Sequence, residues 1–111
     1  MQVAIRNQVL AEKTTVATSH WARMRGLLGH PRLKTGEGLL LGYTKAIHTI
    51  GMRYSIDVAF LNRDGRVIHV IHCMKPFRFS PLVCHSAMVL ELPAGVLIHS
   101  GIKLGDCIQI G

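Results

Sequence analysis

This chain predicts a mainly β protein: a compact antiparallel β-sandwich or barrel of seven or eight short strands, with two short helices. Three observations carry the prediction. Apolar runs of strand length recur between Gly, Pro, Asn and Asp turn signals. They do not alternate with long amphipathic helices, which argues against a doubly wound parallel sheet. The 111 residues are 49% hydrophobic and 17% charged, enough for one hydrophobic core in a single domain, residues 1–111.

The elements follow in order. Gln2 to Arg6 and Gln8 to Ala11 read as two short strands around Asn7, and Thr14 to Ala17 continues in extended form. Thr18 or Ser19 then suits a helix N-cap. Trp21, Met24 and Leu28 recur at helical spacing, Arg23 and Arg25 fit the last turn, where the helix dipole favours cations, and Gly29 and Pro31 end the helix. Gly36-Glu37-Gly38 is a turn signal before the strand Leu39 to Leu41. Ile47 to Ile50 and Ile56 to Leu61 are predicted strands. Asn62-Arg63-Asp64-Gly65 is a hairpin turn, because Asp-Gly supplies positive φ angles. Arg66 to Met74 is the return strand, and Pro76 and Pro81 bound an irregular connection. His85 to Leu92 is a further strand. Pro93 opens a short helix that Gly101 closes, and Gly105-Asp106 turns into a last strand, Cys107 to Ile110.

Aromatic residues are only 5% of the chain, so Leu, Ile, Val and Met must fill the core. The net charge of +7 comes from basic residues scattered along the chain, without a run of five like charges. Such a surface attracts anions without naming one. Arg6, Asn7 and Gln8 interrupt any early apolar leader, and no apolar run is long enough to span a membrane. With three cysteines, an odd number, the expectation is a cytoplasmic protein with free thiols.

The stretch from Ile47 to Val67 is the most unusual. His48, Arg53 and Asp57 lie among Ile47, Ile50, Met52, Ile56, Val58 and Phe60. A charged group among apolar neighbours must be paired, exposed in a cleft, or costly. Both faces of the strand holding Asp57 look covered, so Asp57 needs a partner. Arg25 or Arg53 could grip it with a bidentate fork, or His48 could donate a ring N–H. With Glu37 and Glu91 these residues form the main polar constellation. One reading is a site: a cleft for a polar ligand built from Arg25, Glu37, His48, Arg53 and Asp57, or a His48/Asp57 acid–base pair. The other is a buried network tying the first helix to the sheet, since structural ion pairs produce the same pattern. Glu91, close before Pro93, is expected to satisfy orphan N–H groups at a helix start.

In this order, several segments resemble the Domain of Unknown Function 192 family of small bacterial and archaeal proteins. They are Arg23-Met24-Arg25-Gly26-Leu27, Gly36-Glu37-Gly38-Leu39-Leu40, Ile47-His48-Thr49-Ile50-Gly51-Met52-Arg53 with Ser55-Ile56-Asp57-Val58, Asp64-Gly65, Pro76, Val89-Leu90-Glu91-Leu92-Pro93-Ala94-Gly95, and Gly105-Asp106. The resemblance spans nearly the whole chain. It implies a mainly β, sandwich-like fold with short helices and no established reaction. Many relatives carry a signal sequence, and many have Trp-Met-Lys-Asn-Thr where this chain has Gly51-Met52-Arg53-Tyr54-Ser55, so a role for that tryptophan does not carry over.

Other chemistries are weaker. His69, His72, Cys73, Cys84 and His85 are suitable metal ligands, but lack Cys-x-x-Cys or His-Glu-x-x-His spacing. No metal or cofactor is expected, and Cys73 and Cys107 are expected as small apolar core residues. Phe77-Arg78-Phe79 with Lys75 is the one segment with the basic–aromatic interleaving of single-stranded nucleic-acid binders. Nucleophile-elbow, phosphate-loop and dinucleotide signatures are missing. The expected function is therefore a small binding module, monomer or weak dimer, for a polar or anionic ligand or a partner protein. The rival is an enzyme using His48 and Asp57. A weaker reading is an accessory protein or nucleic-acid binder working through its basic surface, with Phe77 and Phe79 in the contact.

Overall fold

Arg6 and Asn7 both adopt positive φ, 46° and 64°, the backbone that a two-residue hairpin turn demands. That turn joins β1 (Val3–Ile5) to β2 (Gln8–Ala11). The computed structural model describes residues 1–17 and 33–111. The predicted helix after Thr18 or Ser19, and Arg25 with it, lie outside the described residues. The remaining elements are β3 (Lys13–Ala17), β4 (Glu37–Gly42), β5 (Ile56–Leu61), β6 (Val67–Met74), β7 (Met88–Pro93), the short helix α1 (Val96–Ser100) and β8 (Gln109–Ile110).

Among the described residues eight strands form two sheets, in keeping with the strand-length apolar runs. One is three-stranded, in the order β2-β1-β8. The other is five-stranded, β3-β4-β7-β5-β6. In the larger sheet, β5 is buried along its entire length, and β4 and β7 are buried except at their ends. Each of these strands therefore reads as a mostly apolar run, interrupted by Asp57 in β5 and by Glu91 in β7. One face packs Leu40, Ala59, Leu61, Leu90 and Leu92 against Val3, Ile5 and Leu10 of the small sheet and Leu97 of α1. The other gathers Leu39, Leu41, Ile56, Val58, Phe60 and Val89 with Met52 and Met74.

Strand pairing departs from the antiparallel expectation at one ladder. β3 runs parallel to β4, with Lys13 opposite Glu37 and Ala17 opposite Leu41. Parallel neighbours need a long crossover, and residues 18–36 supply the length. Gly38 sits in this ladder because space is short: a Cβ there would lie 3.0 Å from Leu92 Cδ2 and 3.3 Å from Ala11 Cβ.

Three boundaries move from their predicted places. Ile47 to Ile50 is not a strand. It contributes one isolated bridge, His48 to Phe79, because its hydrogen bonds run to an irregular loop. The strand predicted from His85 begins at Met88, since Cys84 and His85 form a turn closed by the Ser86 N–H on Val83 O. Pro93 ends β7 opposite Ile56; the helix starts after Gly95, whose φ is 97°, and stops at Gly101, as expected.

Candidate interaction surface

Asp57 is the central charged residue of the predicted constellation, and it is 0% exposed. β5 and β6 slip register around it: Ile56 faces Met74 and Val58 faces Ile71, so His72 and Cys73 bulge opposite Asp57. The bulge turns the Cys73 N–H, at φ 50°, onto Asp57 Oδ1 at 2.8 Å. Oδ2 accepts the N–H groups of Gly95 at 3.0 Å and Leu97 at 2.8 Å. Among the described residues the partners of Asp57 are backbone N–H groups, not Arg53 or His48; Arg25, the remaining candidate, lies outside the described residues. The carboxylate ties β5 to the β6 bulge and to the start of α1, which lacks a side-chain cap of its own.

The other described residues of the constellation make separate contacts. Glu37 closes a local turn, its Oε1 accepting the Lys34 N–H at 2.7 Å. His48 and Arg53 are exposed. His48 Nδ1 accepts the Ile50 N–H at 3.3 Å, and its ring lies 6.1 Å from that of Phe79, tilted by 53°. Among the described residues no hydrogen bond joins His48 to Asp57. Glu91, expected at a helix start, instead projects from the middle of β7 between Leu39 and Val58, on the sheet face opposite Asp57. It is buried, its Oε2 has no hydrogen-bond partner among the described residues, and desolvation raises its pKa from 4.5 to about 8.

Cys73 and Cys107, expected in the core, are both exposed, as is Cys84. Cys73 occupies the bulge of an edge strand, and Cys107 precedes the buried Ile108, so alternation turns it outward. Among the described residues no three His, Cys, Asp or Glu side chains converge as metal ligands, and no helix is long and apolar enough to cross a membrane.

What the sequence placed in an irregular connection becomes the most exposed apolar surface of this region. Phe77 is 63% exposed and Phe79 74%, with Leu82 at 68% farther along the same connection. Thr49 fixes the segment. Its N–H donates to Arg78 O, its carbonyl accepts the Phe77 N–H, and its hydroxyl donates to Lys75 O at 2.6 Å and accepts the Arg78 N–H at 2.9 Å. Ile47 and Ser80 exchange a further pair. The ladder holds two phenylalanines in solvent beside Lys75, Arg78, His48 and, farther along the facing segment, Arg53. The sequence signal for it was the Lys-Pro-Phe-Arg-Phe interleaving, while Thr49, buried and uncharged, gave no signal.

Two solved structures share this fold. A protein of unknown function from Novosphingobium aromaticivorans DSM 12444 matches with a TM-score of 0.85 at 20% identity, over 98% of this chain and 82% of its own. A protein from Sinorhizobium meliloti 1021, described as a "putative transcription regulator", matches with a TM-score of 0.79 at 18% identity, over 97% of this chain and 89% of its own. At such identities the likeness concerns the fold alone. No curated protein matches the chain. The family model DUF192, described as Uncharacterized ACR, COG1430, matches residues 1–110, and the chain belongs to that family.

Proposed function

We propose that this protein is a binding module that docks an acidic segment of a partner protein on the surface formed by Phe77, Phe79, His48, Lys75 and Arg78. The observation that carries the reading is the exposure of both phenylalanines on a loop that its own hydrogen bonds hold in place. Leaving two aromatic rings largely in water forgoes about 1–2 kcal/mol each. Apolar anchors inside a charged rim are the anatomy of a protein interface. The rim here is cationic, so charge complementarity selects an acidic partner. A loop already fixed loses little conformational entropy on binding.

A protein suits this surface better than a nucleic acid. Leu82 and Ile50 are aliphatic and exposed, and offer a base nothing to stack on. The Phe79 ring is also already in tilted contact with His48. The test is fluorescence anisotropy with a labelled peptide alternating Glu with Leu and Phe, set beside an oligothymidylate of equal charge. The peptide is expected to bind the native chain, to weaken with salt, and to lose binding to the Phe77→Ser/Phe79→Ser variant. Tighter binding of the oligothymidylate, or peptide binding indifferent to the two phenylalanines, overturns the reading.

A further inference from the structure

Away from that surface, three short turns enclose an open cleft of about 670 Å³. Its walls are the segment after β4 from Tyr43 to Lys45, the Asn62–Gly65 hairpin, and the turn from Cys84 to Ala87. The volume lies within the range of small-molecule sites, roughly 300–1,000 Å³. Cross-links between and within the walls preform it. Tyr43 N–H donates to Ala87 O at 2.8 Å, Val83 N–H to Lys45 O at 2.8 Å, and Ala87 N–H to Leu61 O at 2.8 Å. Ser86 Oγ donates to Thr44 O at 2.7 Å. Asn62 Oδ1 accepts the N–H groups of Asp64 and Arg66, each at 3.0 Å, which fixes the hairpin wall.

The lining is chemically one-sided. It contains Lys45, Arg63 and His85 and a single carboxylate, Asp64. Tyr43 stands at the rim, 83% exposed, with φ at 54°. A left-handed backbone is costly for an aromatic residue, and such outliers gather at ligand sites. It turns the chain out of β4 at the cleft that Lys45 and Arg63 also line.

We propose that this cleft binds a small aromatic or heteroaromatic molecule bearing a phosphate or a carboxylate. Lys45 and Arg63 hold the anion and Tyr43 stacks against the ring. Arg63 supplies a planar fork that matches either oxyanion, and Lys45 a point charge. The site is independent of the Phe77–Phe79 surface.

The experiment is an amide chemical-shift titration of the whole chain with phenyl phosphate, benzoate, inorganic phosphate and phenol. Phenyl phosphate or benzoate is expected to give saturable shifts at residues 43–45, 62–65 and 84–87, and the tighter of the two names the anionic group. Inorganic phosphate is expected to move the same amides more weakly. Lys45→Ala and Arg63→Ala should each weaken binding about tenfold. Tyr43→Ala should weaken the aromatic anions and leave inorganic phosphate unchanged. The spectra themselves report whether each variant is folded. The proposal is overturned if neither aromatic anion gives saturable shifts at these amides by about 10 mM. It is equally overturned if phenol binds as tightly as phenyl phosphate, or if the Lys45→Ala/Arg63→Ala double variant binds like the native chain.

Discussion

The N–H of Leu97 donates to Oδ2 of Asp57 across 2.8 Å, so a strand residue caps a helix that begins about 40 positions later. The same carboxylate takes the Gly95 and Cys73 N–H groups. Three charge-assisted bonds thereby hold a bulge, a strand and a helix start together.

Replacing Asp57 with Asn keeps one acceptor oxygen and turns an NH2 group toward backbone donors. The expected loss is about 3 kcal/mol, because each bond to a charged acceptor contributes roughly 1.5–3 kcal/mol. That is a large share of the ~5–15 kcal/mol typical of a domain. Urea unfolding measures it. Hydrogen exchange should show the Cys73, Gly95 and Leu97 amides losing protection ahead of the β5–β7 ladder. A loss under about 1 kcal/mol would remove Asp57 from the architecture.

Glu91 gives the opposite pH signature from an ordinary paired carboxylate. Its folded pKa, raised from 4.5 to about 8 by burial, means that the native state holds a proton the unfolded chain has released. Stability from this group is complete below about pH 4.5, falls as pH rises, and is lost by about pH 8. The slope approaches 1.4 kcal/mol per pH unit between those limits. Glu91→Gln, neutral at every pH, should flatten that part of the profile and be the more stable protein at pH 8. Chemical denaturation of the two proteins from pH 4 to 9 checks this. A native profile that rises across that range contradicts it.

The exchange of roles between Asp57 and Glu91 shows where the sequence was legible. Apolar runs disclosed β4, β5 and β7, because strands buried on both faces cannot alternate. Asp-Gly disclosed the Asn62–Gly65 hairpin, and Gly101 the end of α1. Both faces of β5 were rightly read as covered. Proximity to Pro93, however, suggested Glu91 for the helix start, although strand parity turns Glu91 to the opposite face. The true cap reaches across the sheet, and a long-range bond leaves no mark on local spacing. Ile47 to Ile50 carries the apolar content of a strand, yet its partner is an irregular loop held by the Thr49 hydroxyl. Apolar content cannot announce a side-chain ladder of that kind. The exposed cysteines follow from a bulge and from edge position, which depend on pairing.

Gly38 tests the close approach of β4 and β7. Its Cβ would meet Leu92 Cδ2 at 3.0 Å, Ala11 Cβ at 3.3 Å and Glu91 O at 3.4 Å. Leu92 can turn its methyl aside, but the Ala11 Cβ has no rotamer and yields only if the backbone shifts. Gly38→Ala should therefore destabilise by about 1–3 kcal/mol through overpacking, despite the entropy that alanine removes from the unfolded chain. A second substitution, Leu92→Val, should recover part of that loss if the Leu92 contact is the cause. Urea midpoints of the single and double variants decide it: a Gly38→Ala protein as stable as the native chain shows that β4 has room to move.

Phe77 combines two costs, a ring in water and a left-handed backbone at φ 60°. For a residue with a Cβ this region costs about 1–2 kcal/mol, and glycine adopts it freely. Elsewhere in the chain glycine is usually worse than alanine by roughly 0.5–1 kcal/mol. At this position the order should invert. Phe77→Gly should be at least as stable as Phe77→Ala, because alanine keeps the strain and loses the ring. Both variants should fail to bind the acidic peptide. Stability that is maintained or increased while binding disappears separates a residue retained for a partner from one retained for the fold. If alanine is the more stable variant, φ relaxes without cost and the strain is not held in reserve for presenting the ring. If both variants lose stability together with binding, the ring supports the Thr49 ladder from outside, and the surface is a structural element of the loop.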